Sequence, residues 1–273
     1  MLRTPPQTKY TLSGSIGPIR RGVYTEMRFV KKLFLIFILL ISTAFANPSL
    51  REQLLKGKPG DFIVISQGNS YSLFLLRDLN DKFLTIEEIS VDQSAIDLKK
   101  IGWKQWVENK APGVTTWTSF VINLEKNTLT QCYSYTEKQW LFLEKSDYFF
   151  NQLLTLPLRV TKDNERKRVG PPPMPGEIDR RKLWGPKRVL EGKCTKTAQY
   201  SVLRAKWPDD KTRLAGCVIE LYLDTSQPQF PFPYWLEIQS PHYTFKLNTI
   251  DSGSGICSPV PPLMNKLSTA PSE

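Results

Sequence analysis

Histidine and cysteine are scarce in this chain, and their scarcity limits the chemistry it could perform. Among 273 residues there are four cysteines and one histidine, His242. The cysteines form no C-x-x-C pair, so the spacing of a zinc site is absent, and we expect neither a metal nor a cofactor. The G-x-S-x-G motif of many hydrolases is also missing. A mechanism that needs a histidine base would therefore have to use His242, which stands in a predicted turn.

A hydrophobic run long enough to span a membrane is missing as well. The longest apolar run covers residues 33–41, whereas a spanning helix needs about 20 apolar residues. Three cations within residues 28–32 precede the run, and Ala-Phe-Ala follows at 44–46. This order of segments is that of a secretory signal peptide. We therefore predict a signal peptide at 27–46 that is cleaved after Ala46.

The signal peptide places the mature chain in the periplasm or outside the cell, with no stable transmembrane span after processing. The alternatives are an uncleaved anchor and a buried core helix, although a core helix would carry a polar face that this run lacks. Residues 1–26 show no apolar periodicity and end just before Met27. We interpret them as a leader that precedes the true start at Met27.

Cysteine placement and the missing glycosylation signal agree with export. Cys132, Cys194, Cys217 and Cys257 all follow the predicted cleavage site. An even number of cysteines in an oxidising compartment predicts two disulfides, for which three pairings are possible. Four free buried thiols are the alternative. The chain has no permitted N-x-[ST] site, which favours a bacterial exported protein.

Periodicity predicts a single β-rich domain at 47–258, followed by a disordered tail at 259–273. Residues 61–158 read as a meander, a helix and a hairpin, and residues 197–258 as further antiparallel strands. Ser94 and Asp97 form a capping-box pattern that predicts a helix of about four turns, and a second helix begins near Ser146. The predicted fold class is α+β: a curved antiparallel sheet or half-barrel with two helices packed on one face.

Positive charge is concentrated in the segment 159–196. Residues 1–46 hold seven cations and one anion, so the formal net charge falls from +11 for the chain to +5 for residues 47–273. Residues 159–196 hold twelve cations and five anions. The rest of the mature chain is therefore slightly acidic, at about −2.

Three interpretations of this Pro-rich segment, hereafter the connector, remain open. It could be a solvated link between two β units, because such segments seldom bury enough surface to fold alone. It could dock to anions such as lipid headgroups or an acidic polymer, and it could offer a polyproline ligand at 171–175. Nucleic acid is disfavoured because aromatic residues are sparse there. The residues predicted to bind an anionic surface are Arg166, Lys167, Arg168, Arg180, Arg181, Lys182 and Trp184.

Asp251 is a second candidate for catalysis beside His242. The stretch T-I-D-S-G-S-G at 249–255 resembles the Asp-Ser/Thr-Gly loop of aspartic proteases, which act through two carboxylates that share a proton. The chain has one such motif, so the resemblance implies a homodimer. Gly255 departs from the usual continuation, and an Asp-Ser-Gly turn after a strand is also an ordinary structural feature.

The strands near the C-terminus resemble those of periplasmic lipoprotein-carrier proteins. The similarity covers the segment from Leu214 to Ile250 and includes a Pro-Tyr-x-x-x-Ile step at Pro233, Tyr234 and Ile238. The resemblance implies an incomplete antiparallel barrel over helices that encloses an apolar groove. It carries over no binding residues.

Together these observations predict an exported, non-enzymatic binding or carrier protein for an apolar ligand or an envelope partner. A hydrolase that uses Asp251 or His242 is one alternative. A structural protein that docks to anionic envelope surfaces is the other.

N-terminal processing tests the compartment. We expect the protein purified from its own cells to begin at Asn47, because the apolar run is too short to remain as a span. Mass spectrometry of the intact chain measures this directly. A chain that retains residues 27–46 in the cytosolic fraction would contradict the prediction.

Overall fold

The computed structural model describes residues 49–142, 146–195 and 198–263. The predicted leader and signal peptide at 1–46 and the last ten residues of the predicted tail lie outside these ranges. The helices are α1 (Leu50–Leu54), α2 (Trp103–Glu108) and α3 (Ser146–Leu154), with 3-10 turns at Gln93–Ala95 and Asp163–Glu165.

The strands alternate with short turns along the whole described chain. In chain order they are β1 (Phe62–Gln67), β2 (Ser70–Leu79), β3 (Phe83–Asp92), β4 (Val114–Asn123), β5 (Thr128–Ser134), β6 (Gln139–Trp140), β7 (Arg159–Val160), β8 (Arg188–Leu190), β9 (Lys193–Thr195), β10 (Tyr200–Lys206), β11 (Val218–Asp224), β12 (Trp235–Gln239) and β13 (Thr244–Gly253).

Eleven of these strands form one antiparallel sheet, and β8 and β9 form a separate hairpin. The order in the sheet is β6-β5-β4-β3-β2-β1-β13-β12-β11-β10-β7. Two meanders, one from each end of the described chain, therefore meet where β1 pairs with β13. The prediction of a β-rich antiparallel sheet is confirmed. The described sheet is not closed into a barrel, because β6 and β7 lie at its two edges.

The N-terminal meander is covered by protein on both faces. In β4 the residues from Trp117 to Asn123 are all buried, and in β3 the residues from Ile86 to Val91 are too. Successive strand residues point to opposite faces, so a continuous buried run means that both faces are packed. On one face α2 inserts Trp103, Trp106 and Val107 into a cluster with Phe62, Val64, Leu73, Leu75, Ile89, Val91 and Trp117.

The chain just after α1 lies on the face of the meander opposite to α2. Leu76, the neighbour of Leu75 in β2, points to the face opposite the α2 cluster. Its side chain lies against Gly57, just after α1, and Pro231 also lies there. Helix α3 contacts both β5 and α1.

The helix predicted from Ser94 begins later than expected. Residues 93–95 form a 3-10 turn, and α2 starts only at Trp103. Asp97 accounts for the difference, because its carboxylate accepts a hydrogen bond from the Lys99 backbone nitrogen at 3.1 Å, and its carbonyl oxygen accepts one from the Lys100 nitrogen at 2.9 Å. Such local bonds compete with helix formation. The capping-box prediction was therefore wrong. Helical spacing from Ser94 also predicts one face of Ile96, Trp103, Trp106 and Val107 that packs on the sheet, and the last three are buried in α2.

The predicted disulfides are absent. All four cysteines are free: Cys132 and Cys217 are buried, and Cys194 and Cys257 are exposed. Cys132 lies in β5 and Cys217 just before β11, and six strands separate β5 from β11 in the sheet. At a strand spacing of about 4.8 Å, that distance far exceeds the roughly 7 Å limit between bridged Cα atoms. Burial, with a contribution from Glu88, also raises the pKa of the Cys132 thiol.

A buried ion pair fastens the segment after β13 to the N-terminal meander. Glu87 is fully buried and pairs with Arg77. Its carboxylate also accepts hydrogen bonds from Trp117 Nε1 at 3.1 Å and Ser258 Oγ at 2.7 Å. Arg77 donates to the Val260 carbonyl oxygen. The first residues of the predicted disordered tail thus lie against the sheet.

Tyr135, just after β5, also contacts the segment after β13. Its hydroxyl donates to the Pro261 carbonyl oxygen at 2.9 Å. Burial, reinforced by Glu87, raises the pKa of Tyr135 to about 12. The tyrosine is therefore a neutral donor at any physiological pH.

Removing one partner of the Arg77–Glu87 pair should destabilise the fold strongly. We expect Arg77→Met to lower the free energy of unfolding by about 3 kcal/mol, because it leaves a buried carboxylate without its cation. The double variant Arg77→Met with Glu87→Met should recover most of this loss. Chemical denaturation followed by fluorescence measures both.

The exposed pair between Lys82 and Glu125 is the matched control, since both side chains are more than half exposed. Lys82→Met should change the free energy of unfolding by less than about 1 kcal/mol. Equal losses from Arg77→Met and Lys82→Met would contradict the assigned role of the buried pair.

Candidate functional site

The connector is ordered over its described residues, and Lys167 and Arg188 pair with buried carboxylates of the sheet. Lys167 pairs with Glu237 and lies 3.4 Å from Glu220. Arg204 of β10 also pairs with Glu220, at 2.7 Å. Glu220 and Glu237 face each other across β11 and β12 and are both buried. Buried carboxylates need such partners, so the connector and the sheet stabilise each other.

Glu237 illustrates how this network acts on a single group. Burial alone raises the pKa of its carboxyl, but the hydrogen bonds from Lys167 and Gln239 outweigh burial, and the pKa falls below its ordinary value. Glu237 is therefore charged at neutral pH, and Lys167 is its counterion.

Trp184 belongs to an aromatic cluster on the sheet. Its ring centroid lies 5.2 Å from that of Tyr222 and 5.1 Å from that of Trp235, both edge to face. Tyr200 and Tyr234 complete the buried part of the cluster. The Lys167 ammonium stands 6.0 Å from the Trp184 ring centroid. Trp184 is half-buried in this position, so its ring is largely used in packing.

Residues 168–183 of the connector form a largely exposed loop that we call the arm. A bridge between Arg168 and Leu183 closes its base. Asp179 pairs with Arg168 at 3.4 Å and with Arg181 at 2.8 Å, and Arg181 also donates to the Gly170 carbonyl oxygen. The hydrogen bond from Arg181 is the main reason why the pKa of Asp179 falls to about 2.

The predicted anion-binding residues are therefore not equivalent. Lys167, Arg168 and Arg181 have internal carboxylate partners, and Arg166 pairs with Asp163 at 3.2 Å. Arg180 and Lys182 are exposed.

Asp251 lies at the junction between β13 and the β8–β9 hairpin. Both carboxylate oxygens accept the Gly192 backbone N–H at 3.1 Å, and one also accepts the Ser252 N–H at 2.8 Å. Ser252 Oγ donates to the Val189 carbonyl oxygen at 2.7 Å. Burial is the main cause that raises the pKa of Asp251, and the nearby Glu191 adds to it. These bonds hold the hairpin against the sheet.

His242 lies far from Asp251. It is exposed in the turn before β13, where its backbone N–H donates to Ser240 Oγ at 3.0 Å. Strand β13 runs from Thr244 to beyond Asp251, a length of roughly 23 Å at about 3.3 Å per residue. The structure does not bring the two catalytic candidates into one site.

A cavity that the sequence did not indicate lies beside β7, at the end of strands β10 to β12. Its volume is about 550 Å³. Lys206, Val218 and Gln239 line it and are register partners on adjacent strands, so their side chains share one face. Arg204, two residues before Lys206, lies on that face as well. The remaining lining residues come from Ala205 and from the approach to β7, namely Pro157, Leu158 and Arg159.

The lining combines positive charge with apolar surface. Arg159, Arg204 and Lys206 supply the charge, and none of the described residues that line the cavity is acidic. Arg159 is held by Glu165 at 2.7 Å outside the lining. Period-two alternation in the sequence could have predicted that Arg204 and Lys206 share one face of β10. The position of Arg159 beside them could not be predicted in this way, because it depends on the pairing of β7 with β10.

Within residues 49–142, 146–195 and 198–263, no group of three or more His, Cys, Asp or Glu side chains is arranged to hold a metal ion. The helices in this part of the chain are all too short or too polar to cross a membrane.

The fold just described, a broad open antiparallel sheet joined by its first and last strands, has a counterpart among solved structures. A 2.0 Å structure of the hypothetical protein CT021 from Chlamydia trachomatis is similar over 80% of this chain and 98% of that chain. The TM-score is 0.56 and the sequence identity is 24%. The likeness therefore extends to the fold.

A family model supports the same relationship over part of the sequence. The model described as CT021 protein matches residues 72–196. The match runs from β2 through the connector and includes the arm. No curated protein matches the chain.

The pKa of Asp251 is raised and that of Asp179 is lowered, so their contributions to stability should depend on pH in opposite directions. Because the folded-state pKa of Asp251 lies above 3.8, its contribution to stability should fall as pH rises from about 3.8 to the raised value. The stability advantage of wild type over Asp251→Asn should therefore shrink across this window and then level off. Thermal unfolding of both proteins between pH 3 and 7 measures the difference.

Asp179→Asn is the control of opposite sign. Its pKa is lowered to about 2, so the advantage of wild type over Asp179→Asn should decline as pH falls below about 3.8. A wild-type advantage over Asp251→Asn that grows with pH would show that Asp251 is stabilised as the anion, against the prediction.

Proposed function

We propose that this chain is an exported, non-enzymatic binding protein that carries a small amphipathic anion in the cavity beside β7. The observation that carries the proposal is the composition of the cavity wall, which places the exposed cation Lys206 and the ion-paired Arg159 and Arg204 beside the accessible apolar residues Pro157 and Val218. A volume of about 550 Å³ is within the range of small-molecule sites. A ligand with an apolar tail and one anionic group matches both parts of the wall.

The charges at the cavity favour an anion over a neutral ligand. Lys206 is exposed at the rim, and Arg204 is partly exposed. Arg159 and Arg204 are already paired with Glu165 and Glu220, whereas Lys206 is open to a ligand carboxylate.

The proposal keeps the carrier hypothesis and gives it a site. Both faces of the N-terminal meander are packed, so the ligand site is proposed at the C-terminal half, where the resemblance to lipoprotein carriers also lies. We interpret the sheet as a curved half-barrel on this side. Asp251 is engaged with Gly192 and Ser252, and this engagement favours a structural role over the hydrolase alternative.

Calorimetric titration with decanoate tests the proposal. We expect decanoate to bind, whereas decanol and acetate should bind at least tenfold more weakly, because each lacks one of the two matching parts. Lys206→Glu should weaken decanoate binding by about tenfold or more, since it places a negative charge at the rim.

Lys126→Glu is the matched control, because Lys126 is an exposed cation in the β4–β5 turn. It should leave decanoate binding unchanged. Equal binding of decanol and decanoate, or equal effects of the two charge reversals, would refute the proposed site.

A further inference from the structure

The arm has a fixed conformation that comes from its own residues. Asp179 pairs with both Arg168 and Arg181, and the Val169 N–H donates to the Lys182 carbonyl oxygen at 2.9 Å. At the tip the Met174 N–H donates to the Glu177 carboxylate at 3.1 Å. These bonds reduce the conformational entropy that the arm would lose on binding a partner.

The returning limb of the arm alternates between exposed and half-buried residues. Ile178, Arg180 and Lys182 are exposed, whereas Asp179, Arg181 and Leu183 are half-buried. One apolar side chain and two cations of this limb are therefore open to solvent, while the ion-paired Asp179 and Arg181 are partly covered.

Large apolar side chains of the arm are unusually exposed for a folded protein. Ile178 is 79% exposed and Met174 is 73% exposed. Val169 on the opposite limb is more than half exposed. Exposed apolar groups rimmed by positive charge are typical of surfaces that meet anionic membranes.

We propose that the arm docks to an anionic lipid surface, with Ile178 and Met174 entering the headgroup region and Arg180 and Lys182 contacting lipid phosphates. Charge complementarity supports an anionic lipid as the partner of the arm. The arm holds four cations and two carboxylates. Asp179 pairs with Arg168 and Arg181, which leaves Arg180 and Lys182 facing solvent. Trp184 is not the inserted group, since it packs on Tyr222 and Trp235.

The docking proposal rests on the arm alone and does not require a ligand in the cavity. Loss of decanoate binding in Lys206→Glu would leave it intact. Loss of vesicle binding in arm variants would likewise leave the cavity proposal intact.

Sedimentation with vesicles tests the docking. We expect the mature protein to bind vesicles of phosphatidylglycerol and phosphatidylcholine in a 1:1 mixture, and to bind pure phosphatidylcholine much more weakly. Arg180→Gln combined with Lys182→Gln should reduce partitioning by more than tenfold, since each cation near an anionic surface contributes about fivefold. Raising the salt concentration should weaken binding in the same direction.

The apolar contribution needs its own variants. Ile178→Ser combined with Met174→Ser should reduce partitioning to anionic vesicles by about tenfold or more, with the arm charges unchanged. Phe142→Ser is the matched control, because Phe142 is 96% exposed but lies outside the arm. Lys126→Gln combined with Lys211→Gln is the control for the charge variants, as both lysines are exposed elsewhere.

Two results would overturn the inference. One is equal binding to anionic and zwitterionic vesicles. The other is binding to soluble polyglutamate as strong as binding to vesicles and insensitive to the Ile178 and Met174 changes, which would indicate an acidic polymer or protein as the partner.

Discussion

The pairing of β1 with β13 is the contact on which the rest of this structure depends. It joins Phe62 to Gly253 and Ser66 to Asn248, so the two ends of the described chain meet in the middle of the sheet. Neither meander has another partner for its central edge, and an unpaired edge would leave a row of backbone donors and acceptors exposed. The pairing closes a long loop of chain. Most of the conformational entropy of that loop must therefore be lost before the stabilising contacts between β1 and β13 form.

Several other features are attached to the same pair of strands. The bulge in this pairing is at Ile250 of β13, next to Asp251, and Asp251 anchors the β8–β9 hairpin. The chain that leaves β13 then reaches Glu87 and Arg77 through Ser258. One strand thus fixes the connector on one side and the C-terminal segment on the other.

The connector is ordered because the sheet beneath it is acidic. Glu220, Glu237 and Asp224 are buried carboxylates, and their counterions include Lys167 and Arg188. Removing the connector would leave these charges without partners in a poorly hydrated place, which is costly. The exposed cations Arg180 and Lys182 lie on the arm, and Lys206 lies at the cavity rim. These are the two surfaces for which we propose binding.

Local residue pattern determined the elements of this protein. Period-two alternation located β4 and β5, and helical spacing identified Trp103, Trp106 and Val107 as a buried face, because side-chain direction follows backbone geometry. The start of α2 could not be read in this way, since Asp97 bonded to its own turn. Only tertiary structure decided that six strands separate Cys132 from Cys217, that the connector folds, and that Arg159 joins Arg204 and Lys206 around a cavity. These outcomes depend on which distant strands pair and on which buried carboxylates need cations, and neither is encoded in the spacing of neighbouring residues.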